Sequence, residues 1–135
     1  MDVGNRLNEL GLKGYCCSQI ILQMGLDLKN KTNSDLIQAV SGLGMGLNEG
    51  LLCGSLTGGA CLLSLLEPEK SKDFLINDLV NWFKKEYGEL YGGIDCQDII
   101  AGNPDNRKLR CPEIVASTYA KVIDLLEEHG CNLSE

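Results

Sequence analysis

The sequence predicts an all-α fold, a compact bundle of five or six helices with a glycine-rich helix at its centre. Three observations predict it. Apolar residues recur at helical spacing, as in Phe74, Leu75, Leu79, Trp82 and Phe83 or in Val115, Tyr119, Val122 and Leu126. No window shows the apolar–polar alternation of a half-buried strand. Glycines and prolines fall between the periodic windows, where helices stop and start. At 135 residues with 44% apolar content, the chain reads as one domain, residues 1–135, with a core that folds without staples.

In order, Val3 to Leu12 reads as a short amphipathic helix ended by Gly11 and Gly14. A second helix is expected from about Tyr15 to Met24, with Gly25 closing it and Cys16 and Cys17 in its first turn. Asn33 or Ser34 caps a third, which runs through Gln38, Ala39 and Val40 into the glycine stretch. Leu51 to Leu66 reads as the fourth and most buried helix, with Cys53 in its first turn. Pro68 and the charged residues after it make a loop before the helix Asp73 to Tyr87, which Gly88 stops. Asp95 to Ala101 is a short helix with Cys96 at its start. The segment PDNRKLR reads as solvated loop. Pro112, favoured at the first helical position, then opens the last helix directly after Cys111, and Gly130 ends it.

Seven of the sixteen glycines lie between Gly42 and Cys61, and five of them recur every fourth residue, from Gly42 to Gly58. Glycine destabilises a helix interior by about 1 kcal/mol relative to alanine, so this density requires a close approach by something else, a helix or a ligand. A step of four turns an ideal helix about 400°, so the five cannot line one straight face. The expectation is a break near Asn48 to Gly50 and two glycine-rich helices facing each other.

Twelve basic and nineteen acidic residues give a net charge of -7, which argues against nucleic acid and anionic membranes as partners. The uncharged run from Gly50 to Leu66 is short for a membrane span and holds glycines and hydroxyls, so it reads as buried core and no membrane insertion is expected. MDVGNRLNEL lacks a basic-then-apolar signal pattern, which predicts a cytoplasmic protein. Seven cysteines then need a reason, because a reducing compartment disfavours structural disulfides.

Four of them, Cys17, Cys53, Cys96 and Cys111, share a position at the beginning of an expected helix. Three follow a glycine at the same offset, in Gly14-Tyr-Cys-Cys17, Gly50-Leu-Leu-Cys53 and Gly93-Ile-Asp-Cys96. A helix N-terminus offers partial positive charge and unpaired N–H groups, so it favours thiolate, the form needed for metal ligation and for thiol redox chemistry. If the four helix starts converge, they form one pocket of thiols.

The runs GYCCSQ, CGSLTGG, DCQDIIAG and CPEIV together resemble the redox-active family named for its C-GCAxxG-C-C cysteine pattern. The resemblance extends from Tyr15 to the last helix, and its best-matching element is Cys53-Gly54-Ser55-Leu56-Thr57-Gly58. Ser55 stands there where the family usually has alanine. Carried over one by one, the family's cysteines match Cys17, Cys53, Cys96 and Cys111, while Cys16, Cys61 and Cys131 are extra. The resemblance implies a redox role and a redox partner protein. A related domain occurs in split-Soret-type cytochromes beside an iron–sulfur centre, which makes cluster binding a natural expectation. There is no C-x-x-C-H for covalent haem.

Three readings follow. In the first, the four cysteines bind an iron–sulfur cluster, of [2Fe-2S] type, for electron transfer or redox sensing, with Gly54 and Gly58 giving it close backbone approach; zinc on the same thiolates is the lesser variant. Cys61, about 12 Å along the helix from Cys53, does not suit the same small cluster. In the second, two of these cysteines cycle as a thiol–disulfide oxidoreductase, Cys17 and Cys53 being the first candidates for catalysis. In the third, the cysteines are only core in a helical scaffold, a homodimer packed through its glycine helices. His129 reads as a charge suited to a helix C-terminus rather than a ligand, Trp82 as core or interface, and Cys131 as exposed. Gly42-Leu-Gly44-Met-Gly46 fails the dinucleotide-binding template.

Overall fold

Asp2 opens helix α1 (Val3–Leu12) by accepting the Asn5 amide at 3.0 Å, in a computed structural model that describes residues 2–133. Seven helical bodies follow one another, and among the described residues there is no strand. The fold is the all-α bundle that periodicity predicts. Also among the described residues, no helix is long and apolar enough to cross a membrane.

Helix α2 (Cys17–Leu28) starts at the second of the paired cysteines and does not stop at Gly25. Gly25 is buried in mid-helix because a β-carbon there would run into the side chain of Leu62, so the glycine serves packing rather than termination. Helix α3 (Ser34–Val40) is capped by Asn33, whose side chain accepts the Leu36 amide at 3.1 Å, and passes into a 3-10 turn, Ser41–Leu43.

The glycine stretch departs from expectation here. It does not form two facing helices, since residues 44–53 are not a regular helix at all. Met45, Gly46, Leu47 and Asn48 all take left-handed backbone angles, with φ of 56°, 60°, 59° and 59°. Non-glycine residues in that region are strained by about 1–2 kcal/mol each. The turn reverses the chain so that Leu52 pairs with Asp95 in an isolated antiparallel bridge.

Helix α4 (Gly54–Leu66) is the central element, and its small residues explain how. A β-carbon on Gly58 would lie 2.8 Å from Cα of Ser18 in α2. One on Gly59 would meet Leu79, Val122 and Thr118 on the opposite side at 3.1–3.3 Å. The glycines therefore let α4 sit between α2 and the later helices that carry Leu79 and Val122. Leu62 and Leu63 are completely buried there.

The next body, α5, runs continuously over residues 68–91, with Pro68 in its first turn and π-type turns at Ser71–Leu75 and Lys84–Gly88. Gly88 is not a stop; its φ and ψ are helical at -60° and -44°, and the helix ends instead before Gly92, at φ 79°. Rings carry the helix past Gly88, with Tyr87 packed edge-on against Phe83 at 5.0 Å and stacked on Tyr91 at 6.3 Å. Helix α6 (Cys96–Ile100) is one short turn and ends at Ala101 with φ 53°.

Helix α7 (Asn106–Glu128) begins six residues before Pro112, so Pro112 lies inside it and Cys111 is not at a helix start. PDNRKLR is accordingly only in part a loop. The earlier start has a local cause: buried Asn106 donates its side-chain amide to the Ile100 carbonyl at 2.7 Å, and Asn103 accepts the Asp105 amide at 3.1 Å. Arg110 adds a bond to the Ile99 carbonyl at 2.7 Å and lies over the Tyr91 ring at 4.8 Å. Further on, Tyr119 reaches the Met24 carbonyl at 3.4 Å and ties α7 to α2.

Candidate thiol site

Cys17 and Cys53 come together because α2 and α4 cross in close contact near their N-termini. Gly54, the residue after Cys53, is where a β-carbon would lie 3.1 Å from the Cys17 sulfur. Cys53 and Cys96 are then drawn together by the bridge: the Cys53 amide donates to the Ile94 carbonyl at 3.2 Å and the Cys96 amide to the Leu51 carbonyl at 2.6 Å. Cys111, one turn into α7 and four residues after Arg107, lines the same cleft as Cys17 and Cys96. The four sulfur-bearing segments therefore meet. All seven cysteines are free thiols.

The electrostatics link the four into one set. Burial, first, and the charge of Cys17, second, push the Cys53 thiol up to about 12. Burial, then Cys17 and Cys96, push Cys111 up to about 11, with Arg107 pulling the other way. Cys17 is raised by burial, by Cys16 and by Cys96. Cys96 is raised by burial and by Asp95, again against Arg107. Part of the surroundings pulls the other way: the backbone of Cys17 and of Met45 lowers the Cys17 thiol, and the backbone of Ser55 and Leu56 with the Ser55 side chain lowers that of Cys53. Helix starts were expected to activate these thiols; burial outweighs them, so in the metal-free chain the neutral thiol is favoured.

Position by position, Cys53 is the N-terminal cap of α4, Cys96 the first residue of α6 and Cys17 the first of α2. Cys16, the cap of α2, borders the same cleft; its sulfur lies 3.2 Å from the Ser18 hydroxyl, and Gly44 leaves room for it, a β-carbon there falling 2.6 Å away. Gly58 faces Ser18 rather than the sulfurs. Cys61 stands apart on α4, raised by burial alone. Cys131, expected to be exposed, is partly buried against the core near Glu67, Lys29 and Lys70. His129 packs edge-on to Phe74 at 4.7 Å, and Trp82 packs on Phe83 and Tyr87 within the partly buried core. Among the described residues, no three Cys, His, Asp or Glu side chains converge closely enough to hold a single metal ion.

Two participants escaped the sequence reading. Met45 contributes its amide from the left-handed turn, which no periodicity announces. Arg107 sits one helical turn before Cys111, a spacing that places both on one face. Reading Pro112 as a helix start hid that relation.

The cleft has a volume of about 780 Å³ and is lined by Cys16, Cys17, Cys96 and Cys111 among others. A family model described as "Putative redox-active protein (C_GCAxxG_C_C)" matches residues 15–125. No curated protein and no solved structure matches the chain.

Proposed function

Because the chain belongs to the C_GCAxxG_C_C family of redox-active proteins, we propose that Cys17, Cys53, Cys96 and Cys111 hold an iron–sulfur cluster, of [2Fe-2S] type, in a small electron-transfer or redox-sensing protein. The observation that carries this reading is the linkage of the four thiols through Cys17 in a buried, hydrogen-bond-donating environment. Buried thiols that repel one another's charge suit a shared cationic centre, which offsets both burial and repulsion. A cluster surrounds several atoms, so it does not need four sulfurs to share one centre as a zinc ion does. When bound, such a group supplies one-electron transfer.

The chain's own residues do the rest. The backbone of Met45, Cys17, Ser55 and Leu56 favours the deprotonated form of the Cys17 and Cys53 sulfurs. Arg107 adds positive charge beside Cys96 and Cys111. Burial of Cys53, at 7% exposure, keeps water from that side. Electrons then pass to or from a partner protein.

Disulfide cycling between Cys17 and Cys53 is the competing reading, and a thiol held near 12 is a poor nucleophile at neutral pH. Anaerobic purification and reconstitution with iron and sulfide separates the two. Visible absorption with bound iron, lost in Cys17→Ser and Cys53→Ser and kept in Cys61→Ser and Cys131→Ser, supports the cluster. A colourless protein that loses two free thiols under mild oxidant supports cycling instead.

A further inference from the structure

The cleft beside the thiols has a charge pattern unlike the rest of the chain. The molecule carries nineteen acidic and twelve basic residues, yet no carboxylate lines this cleft. Its charged lining residues are Arg107 and Lys108, adjacent and both exposed. Neither takes part in an ion pair among the described residues, where the salt bridges are those of Arg6 with Glu9 and Asp27. Arg107 is held toward the cysteines by a contact of its Nη1 with the Met45 sulfur at 3.4 Å. Leu7, Leu12, Ile20 and Val115 add apolar surface to the lining. Leu12 is 90% exposed.

A cavity of about 780 Å³ falls in the range of small-molecule sites, which are mostly apolar with a few placed polar groups. We propose that it binds a small amphiphilic anion, an apolar body ending in a carboxylate or a similar group. The anionic end sits at Arg107 and Lys108, and the body lies along α1 and α7 over Leu12 and Val115. Charge complementarity selects the anion, since the charged residues lining this cleft are both basic in a chain of net charge -7. The site goes beyond the redox reading and does not depend on it, because binding needs neither iron nor thiol exchange.

The test is calorimetric titration of the full-length, reduced, iron-free chain with decanoate and with neutral decanol. Decanoate is expected to bind saturably at one site and at least tenfold more tightly than decanol. Arg107→Gln combined with Lys108→Gln should weaken decanoate at least tenfold and change decanol less than twofold. Leu12→Glu, on a side chain too exposed to disturb folding, should weaken decanoate at least fivefold. Absence of saturable binding, equal affinity for the two probes, or full decanoate affinity in either variant overturns the proposal. A chain that binds decanoate in this way but never takes up iron refutes the cluster alone.

Discussion

The sulfur of Cys17 lies so close to the first residue of α4 that a side-chain carbon on Gly54 would come within 3.1 Å of it, and within 3.2 Å of the Leu43 carbonyl. Helix propensity favours alanine at Gly54 by up to about 1 kcal/mol, while overpacking opposes it by about 1–3 kcal/mol. Gly54→Ala is therefore expected to lower stability by about 1 kcal/mol in urea unfolding and to reduce iron per chain after reconstitution. Wild-type values for both would show that the junction yields freely.

Gly58 and Gly11 should respond oppositely to the same change. A β-carbon at Gly58 meets the backbone of Ser18 at 2.8 Å, whereas one at Gly11 meets nothing within 4 Å. Gly58→Ala should lose about 2 kcal/mol or more, because two backbones cannot move apart without opening the core. Gly11→Ala should be neutral or gain up to about 1 kcal/mol. Thermal melts of the two variants decide it, and a loss at Gly11 equal to that at Gly58 would refute the packing account.

Leu47 is half exposed and holds φ at 59°, so little burial is lost if its side chain goes. Leu47→Gly is expected to raise stability by about 1 kcal/mol by relieving left-handed strain. A lower melting temperature would mean that the Leu47 side chain makes contacts worth more than the strain.

The thiols give the iron-free chain a characteristic pH dependence. Cys53 and Cys111 titrate higher in the folded protein, near 12 and 11, than the ordinary 9.0. The folded state thus binds protons more tightly, and that contribution is complete below about pH 9 and is lost as pH rises through 11 to 12. Chemical denaturation midpoints should fall from pH 9 upward. Iodoacetamide labelling of both residues, followed by mass spectrometry, should be slow at pH 8 and quicken about tenfold per pH unit. Rapid labelling of Cys53 at pH 8 would contradict its burial.

Much of this was legible in the residues. The stripe of Val115, Tyr119, Val122 and Leu126 and the apolar run of α4 announced the bundle, and the local setting of Cys17, Cys53 and Cys96 announced their places at helix starts. What the sequence hid was non-local. Gly25 and Gly88 read as stops because glycine weakens a helix by itself, yet the Leu62 side chain across from one and the tyrosine rings around the other reverse that local preference. Cys111 is not at a helix start as its place before Pro112 suggests, since Asn106 and Ile100, not Pro112, set where α7 begins. The left-handed turn at Met45 has no periodic signature, and it leads into the pairing of Leu52 with a segment far along the chain.

That bridge between Leu52 and Asp95 also orders events during synthesis. A ribosome that has released the first sixty residues has delivered Cys17 and Cys53 but not the strand partner, nor Cys96, nor Cys111. For that interval Cys17 and Cys53 have only Cys16 for company, so a nascent chain met by an oxidant would be trapped in a wrong pairing before its last helix emerged.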